Sequence, residues 1–316
     1  MDIFFTTLQS VFTLLGIGII GFWIISKKII PAEVISVLSP LAIDIALPCL
    51  VFANIMTKFD PEKINQWWLL PIWWMGFTGW LLILTMLFSL ISNKQFKNEF
   101  RVSLFYQNGL FLPLAIIMGM NSRDNSLLVS LFLFMLLYPA FFFNSYRIFF
   151  KKNDTFTFDK RMLERTLNPV LIATLVALIL VISGLNSCLP EFIIKISATI
   201  GNMAVPLIIL IIGGSIYIDF QKKERIYWLE ILKFILCKNF LFPAFALAAI
   251  YLIKPEYNLA LIIAIEASVP PITAVPIVVE REKGNTGIAN QYLIASFITA
   301  VVSLPTVIYF FNKIYQ

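Results

Sequence analysis

Apolar runs of about twenty residues recur along the whole chain, and short clusters of charged or turn-forming residues separate them. A helix needs about 20 apolar residues to cross the hydrocarbon core of a bilayer. Ten runs qualify. In the first half they cover residues 7–25, 35–56, 68–91, 102–118 and 127–149. In the second half they cover 169–185, 193–218, 227–253, 259–279 and 291–311. The pattern predicts an all-α integral membrane protein of ten transmembrane helices. The first residues, Met-Asp-Ile-Phe-Phe, lack the basic region of a signal peptide, and no small-residue cleavage site follows, so 7–25 reads as the first span.

The polar positions inside these runs repeat. SPLAIDIALP, from Ser39 to Pro48, is echoed by SATIGNMAVP, from Ser197 to Pro206, at a shift of 158 residues. The same shift pairs Asn108 with Glu266, Gly109 with Ala267 and Pro113 with Pro271. The loop TKFDPEKINQWW after span two resembles YIDFQKKERIYW after span seven, and the end of span five at Pro139 resembles span ten around Pro305. Two units follow, 1–150 and 169–316, joined by a linker over 151–168. Five spans is an odd number, so the second unit enters the membrane inverted. Inverted repeats place a site near the midplane, where broken helices meet.

Composition fits this reading. Hydrophobic residues make up 59% of the chain and charged residues 13%, against about half and about a quarter in soluble domains. The net charge of +6 sits in short loops, so lipid headgroups rather than nucleic acid are its expected neighbours. Loops after odd-numbered spans hold 16 Lys and Arg, and the other side holds six. The positive-inside bias therefore puts the 147–168 loop in the cytoplasm and both termini outside. The scattered Cys49, Cys188 and Cys237 read as free thiols with no metal spacing. With no His, no Cys-rich cluster and no phosphate-binding glycine loop, neither a metal site, a catalytic triad nor an ATP-driven pump is expected. No cofactor is expected beyond a coupling H+ or Na+.

The candidate chemistry lies at the prolines. Proline removes an amide donor and clashes with the carbonyl four residues back. Pro113 thus frees the Gly109 carbonyl, Pro270 and Pro271 free those of Glu266 and Ala267, and Pro276 frees that of Ile272. An unmet carbonyl in hydrocarbon costs several kcal/mol. Crossing broken helices four and nine would offer half-helix N-termini, suited to a carboxylate. Candidate substrate-binding residues are Gln107, Asn108, Gly109, Pro113, Glu266, Ser268, Pro270, Pro271 and Thr273. Two structural kinks would explain the same prolines. Pro48 and Pro206 repeat the device beside Asp44 and Asn202.

Asp44 is the one acid deep in span two, where an ionisable side chain costs a few kcal/mol. It reads as a proton or cation site, the partner of a buried base, or a structural acid. Lys238 lies about ten residues, or roughly 15 Å, into span eight, too deep for easy snorkelling. It reads as the charge partner of Asp44 or Glu266, or as an aid to anion binding. Trp67, Trp68, Trp73, Trp74 and Trp80 read mostly as interfacial anchors.

ALPCLVFANI in span two, GNMAVPLIILIIGGSI in span seven and EASVPPITAVPIVVE followed by NQYLIASFITAVVSLPTVIYF resemble the auxin efflux carrier family. LKFILCKNFLFP in span eight is similar to the family's basic residue before a proline, at Lys238, and QNGLFLPL to its Asn-Gly-Pro crossover. The resemblance covers the whole chain. It implies a scaffold of spans one, two, six and seven, a transport domain of the other six, and elevator-like movement. It implies small organic anions as substrates: auxin in plants, and malate, malonate or similar carboxylates in bacterial members. The chain lacks the long central loop of the plant exporters and looks like a bacterial inner-membrane member. Plant members also carry an acid in span three facing the span-eight Lys. Span three here offers Thr78 and Thr85 instead, which leaves Asp44 or Glu266 as acid.

The leading expectation is a secondary carrier of a small carboxylate. The second is a sodium-coupled carrier of the bile-acid symporter type. The third is a membrane-embedded sensor or enzyme, which would need a soluble signalling domain or a buried nucleophile with its base. An apolar scaffold face would suit a homodimer. If Asp44 couples transport to protons, Asp44→Asn shifts the pH dependence of uptake, and unchanged uptake across pH removes that role.

Overall fold

The computed structural model of the protein describes residues 2–64, 66–120, 126–150, 168–221 and 225–315. In hydrocarbon every backbone N–H and C=O must find a partner within the protein, so apolar spans fold as helices. Among the described residues the chain is helical, with no β-strand. The first half holds α1 (Asp2–Ser26), α2 (Val34–Lys58), α3 (Trp67–Phe88), α4 (Lys97–Phe105), α5 (Phe111–Gly119), α6 (Ser126–Phe134) and α7 (Tyr138–Ser145). The second half holds α8 (Pro169–Ile182), α9 (Glu191–Ile218), α10 (Trp228–Ile253), α11 (Tyr257–Ser268), α12 (Val275–Arg281) and α13 (Thr286–Tyr315). By length and composition, α2, α3, α9, α10 and α13 can each cross a membrane. The linker expected over 151–168 lies outside the described residues except for Asn168, whose side chain caps α8 by accepting from the Leu171 amide at 2.9 Å.

The prolines act in three different ways. The runs expected at 102–118 and 259–279 are each two helices, α4 with α5 and α11 with α12. Pro276 does not break a helix: it stands in the first turn of α12, where its missing amide costs nothing. Pro305 sits inside the unbroken α13, whereas Pro139 begins α7. Pro48 and Pro243 each follow a six-residue π turn, Leu41–Ala46 in α2 and Leu236–Leu241 in α10. There the Leu47 amide reaches back to the Ala42 carbonyl, and the Phe242 amide to that of Cys237, one residue further than in an α-helix. The α9 copy of the motif differs, with a turn at Asn202 and Met203 ahead of Pro206.

Two bundles result. α1 packs along the second part of α9, and α2 packs on α8 and the first part of α9. α13 is the spine of the other bundle, touching α4, α10, α11 and α12, while α3 packs on α4 and α6. The bundles meet where α13 and α5 lie against α1, and where α2 lies against α6. The outer surface is apolar: Leu252 is 80% exposed and Val37 70%. That surface is stable only against lipid tails.

Small residues set the closest approach. A Cβ added at Gly213 would run into the Gly18 carbonyl, and one at Gly21 into the Leu210 carbonyl, so α1 and α9 touch backbone to backbone. Gly213→Val should separate them and destabilise the protein by about 1–3 kcal/mol. A lowered thermal midpoint in detergent, with Gly76→Val on open surface as control, checks this.

Candidate functional site

The two breaks face each other. The Asn108 amide donates to the Pro270 carbonyl at 2.8 Å, and the Ile272 amide donates to the Tyr106 carbonyl at 2.9 Å. Gln107 and Pro271 form an antiparallel bridge between these bonds. Each linker thus supplies partners the other has lost. The Tyr138 hydroxyl donates to the Gln107 carbonyl, and the Gly109 amide closes a tight turn onto the same oxygen at 2.8 Å. Edge-on rings of Trp74 and Phe141 support this corner: Trp74 meets both Tyr138 and Phe141.

Gln107, Asn108, Gly109, Pro113, Glu266, Ser268, Pro270 and Pro271 are all buried, and Thr273 is half-buried. Ser268 spends its hydroxyl on the Ala264 carbonyl at 2.6 Å, which leaves no free proton for a ligand. Glu266 is different. It is fully buried beside Gln107, yet neither carboxyl oxygen has a hydrogen-bond partner of good geometry. Neither the amide nitrogen nor the oxygen of Asn108 has one. A Cβ at Gly109 would displace the Glu266 carboxyl and the Met135 methyl group.

Lys238 reaches this crossing from α10. Its π turn buries Cys237, Lys238 and Asn239 in succession, which one face of a straight α-helix cannot do. The Lys238 ammonium donates to the Leu104 carbonyl at 3.3 Å and lies 5.4 Å from the Phe242 ring centre. In a continuous helix Leu104 would accept from the Asn108 amide, which instead turns to Pro270. Lys238 therefore fills a vacancy that the α4 break creates. It is electrostatically coupled to Glu266 without a direct ion pair. Next to it, Asn239 exchanges hydrogen bonds with Ser296 of α13, at 2.8 and 3.1 Å.

The other group of candidates stands apart. Asp44 is exposed on the π turn of α2, which packs on α8 and α9, and it forms no ion pair with Lys238. Of the two acids expected as its partner, Lys238 lies near buried Glu266 and not near exposed Asp44. Pro48 is buried, whereas Asn202 and Pro206 are exposed. Trp74, expected as an interfacial anchor, is buried against Tyr138 with its indole N–H unpaired. Trp68, at 57% exposure, does fit that expectation. The sequence pattern passed over Tyr138 and Asn239; a Tyr-Pro step and a Lys-Asn step deep in apolar runs were the available signals.

A family model described as membrane transport protein, the family of the auxin efflux carriers, matches residues 6–308. The chain belongs to this family. As a member of the membrane transport protein family it is an integral membrane transporter, with the lipid bilayer and a transported substrate as its partners. No curated protein matches the chain. Gly109→Ala should force the Glu266 carboxyl out of place. The variant is expected to lose at least tenfold in uptake at wild-type expression, measured in whole cells, while Gly79→Ala on an open surface leaves uptake intact.

Proposed function

We propose that this transporter is a secondary active carrier of a small organic anion, a carboxylate, bound where α4–α5 and α11–α12 cross. The observation that carries this reading is the set of buried, unpartnered polar groups at that crossing, Glu266 and Asn108, with the Lys238 ammonium beside them. Polar groups left unpaired in a dry interior are costly, and a ligand repays that cost. Lys238 supplies the positive charge for a carboxylate, and the first amides of α5, which no helix can satisfy internally, supply donors.

The chain makes ten passes in this reading, as two inverted five-helix repeats with both termini outside and loop 147–168 in the cytoplasm of a bacterial inner membrane. The α1, α2, α8 and α9 bundle is the scaffold, assembled as a homodimer, and the α13-centred bundle carries the crossing past it as an elevator. Asp44, Pro48, Asn202 and Pro206 lie on the scaffold, while Gln107, Gly109, Pro113, Ser268, Pro270, Pro271 and Thr273 shape the moving site. Coupling to H+ or Na+ runs through Glu266 and Lys238.

A sodium-coupled carrier of the bile-acid symporter type is the second reading. The unsatisfied carboxyl oxygens of Glu266 and the Asn108 carbonyl favour it, because oxygen acceptors suit a cation. Purified protein screened with dicarboxylates, monocarboxylates and indole acids, with and without sodium, separates the two. Carboxylate uptake driven by a proton gradient and abolished in Lys238→Met supports the first reading. A strict sodium requirement supports the second, and uptake confined to sugars or cations refutes both.

A further inference from the structure

From a basic corner where the α3–α4 turn meets the start of α10 we infer a docking site for an anionic phospholipid. Its phosphate lies on Lys94, Lys97 and Arg225, and its acyl chains run along α10. The inference holds whichever substrate the protein carries. Both halves of the chain build the corner. Buried Glu230, in the first turn of α10, accepts from the Ser92 hydroxyl at 3.1 Å and from the Asn93 amide at 3.2 Å. The Phe96 ring meets the Tyr227 ring edge-on, 4.7 Å between centres, and the Arg225 guanidinium lies 5.7 Å from the Tyr227 ring centre. Gln291 of α13 pins this segment: its side chain accepts from the Tyr227 amide at 3.1 Å and donates to the Arg225 carbonyl at 2.8 Å. Lys94 and Lys97 flank Phe96 in the chain, so the Phe96–Tyr227 contact gathers three cations.

No acid neutralises them. Among the described residues none of the three forms an ion pair. The acids of the corner are already committed: Glu230 also holds the Lys233 ammonium at 2.7 Å, and buried Glu99 accepts from the Asn285 amide at 2.7 Å. Lys94 and Arg225 are exposed, and Lys97 is half-buried. A phosphate diester supplies the missing charge, and a guanidinium fork grips two of its oxygens. The adjoining surface suits hydrocarbon. Trp228, Leu232, Leu236 and Phe240 are each more than half exposed, at steps of four along α10, a helix long and apolar enough to cross a membrane. This stripe starts three residues after Arg225 with an indole, the side chain that favours the headgroup level. A free phosphate would leave the stripe bare, whereas a phospholipid covers both surfaces.

The test is binding of fluorescent phosphatidylglycerol to the purified protein in maltoside micelles. Phosphatidylcholine with the same chains and glycerol 3-phosphate serve as competitors. Unlabelled phosphatidylglycerol should displace the probe, and both competitors should be much weaker. Lys94→Gln, Lys97→Gln and Arg225→Gln should each weaken binding about fivefold, and Lys94→Arg should keep it. Lys27→Gln with Lys28→Gln, which removes two exposed cations after α1, should leave it unchanged. Trp228→Ala should weaken the lipid without improving glycerol 3-phosphate. Size-exclusion and thermal profiles show which variants fold, and the three single neutralisations stand independently of one another. Phosphatidylcholine competing as well as phosphatidylglycerol overturns the inference. So does glycerol 3-phosphate competing equally, which would mean a phosphate site without a lipid. An equal loss in the Lys27 and Lys28 control would mean a diffuse surface charge, and overturns it too.

Discussion

Two backbone hydrogen bonds, Asn108 to Pro270 and Ile272 to Tyr106, hold the protein's centre together. Their importance comes from the solvent. In water a broken helix could hand its free amides and carbonyls to solvent; in hydrocarbon each would cost several kcal/mol. Two breaks that pair with each other solve a problem neither solves alone. Much of the surrounding structure follows from keeping them in register: the Tyr138 hydroxyl on the Gln107 carbonyl, the absence of a side chain at Gly109, and the Lys238 ammonium on the Leu104 carbonyl.

The pairing saturates the main chain but not the side chains. The side chains of Glu266 and Asn108 are buried without a hydrogen bond of good geometry, while the equally buried Asn239 and Ser296 satisfy each other. The contrast separates two kinds of buried polarity. Asn239 fastens α10 to α13 and is structural. Glu266 and Asn108 stand where both runs are interrupted, an amide from the first half of the chain and an acid from the second.

Much of this was legible in the residues. The proline pairs marked the two breaks, and the shift of 158 residues tied Asn108 to Glu266. Depth alone singled out Lys238. What could not be read was tertiary. Tyr138 lies 31 residues from the carbonyl it caps, and nothing in its own run says which oxygen it meets. Trp74 looked like its neighbours because hydropathy ranks indoles by type, and only packing on Tyr138 sets it apart. The surroundings of Asp44 could not be read for a related reason. An acid in an apolar run implies a buried partner only if its helix turns evenly, and the π turn swings it outward instead.

That unevenness reaches beyond single side chains. A π turn adds one residue to a helix without adding a full turn, so the regular period is out of phase across it. In α10 the buried stripe before Leu236 and the one after Leu241 do not lie on one continuous 3.6-residue count; three residues in a row are covered where the phase slips. In α2 the same slip leaves Ile43, Asp44 and Ile45 exposed in a row. A helical wheel drawn through either span would therefore assign the lipid-facing side wrongly for one of its halves. Any alignment of the two halves that forbids a one-residue gap at these turns would superimpose faces that look in different directions.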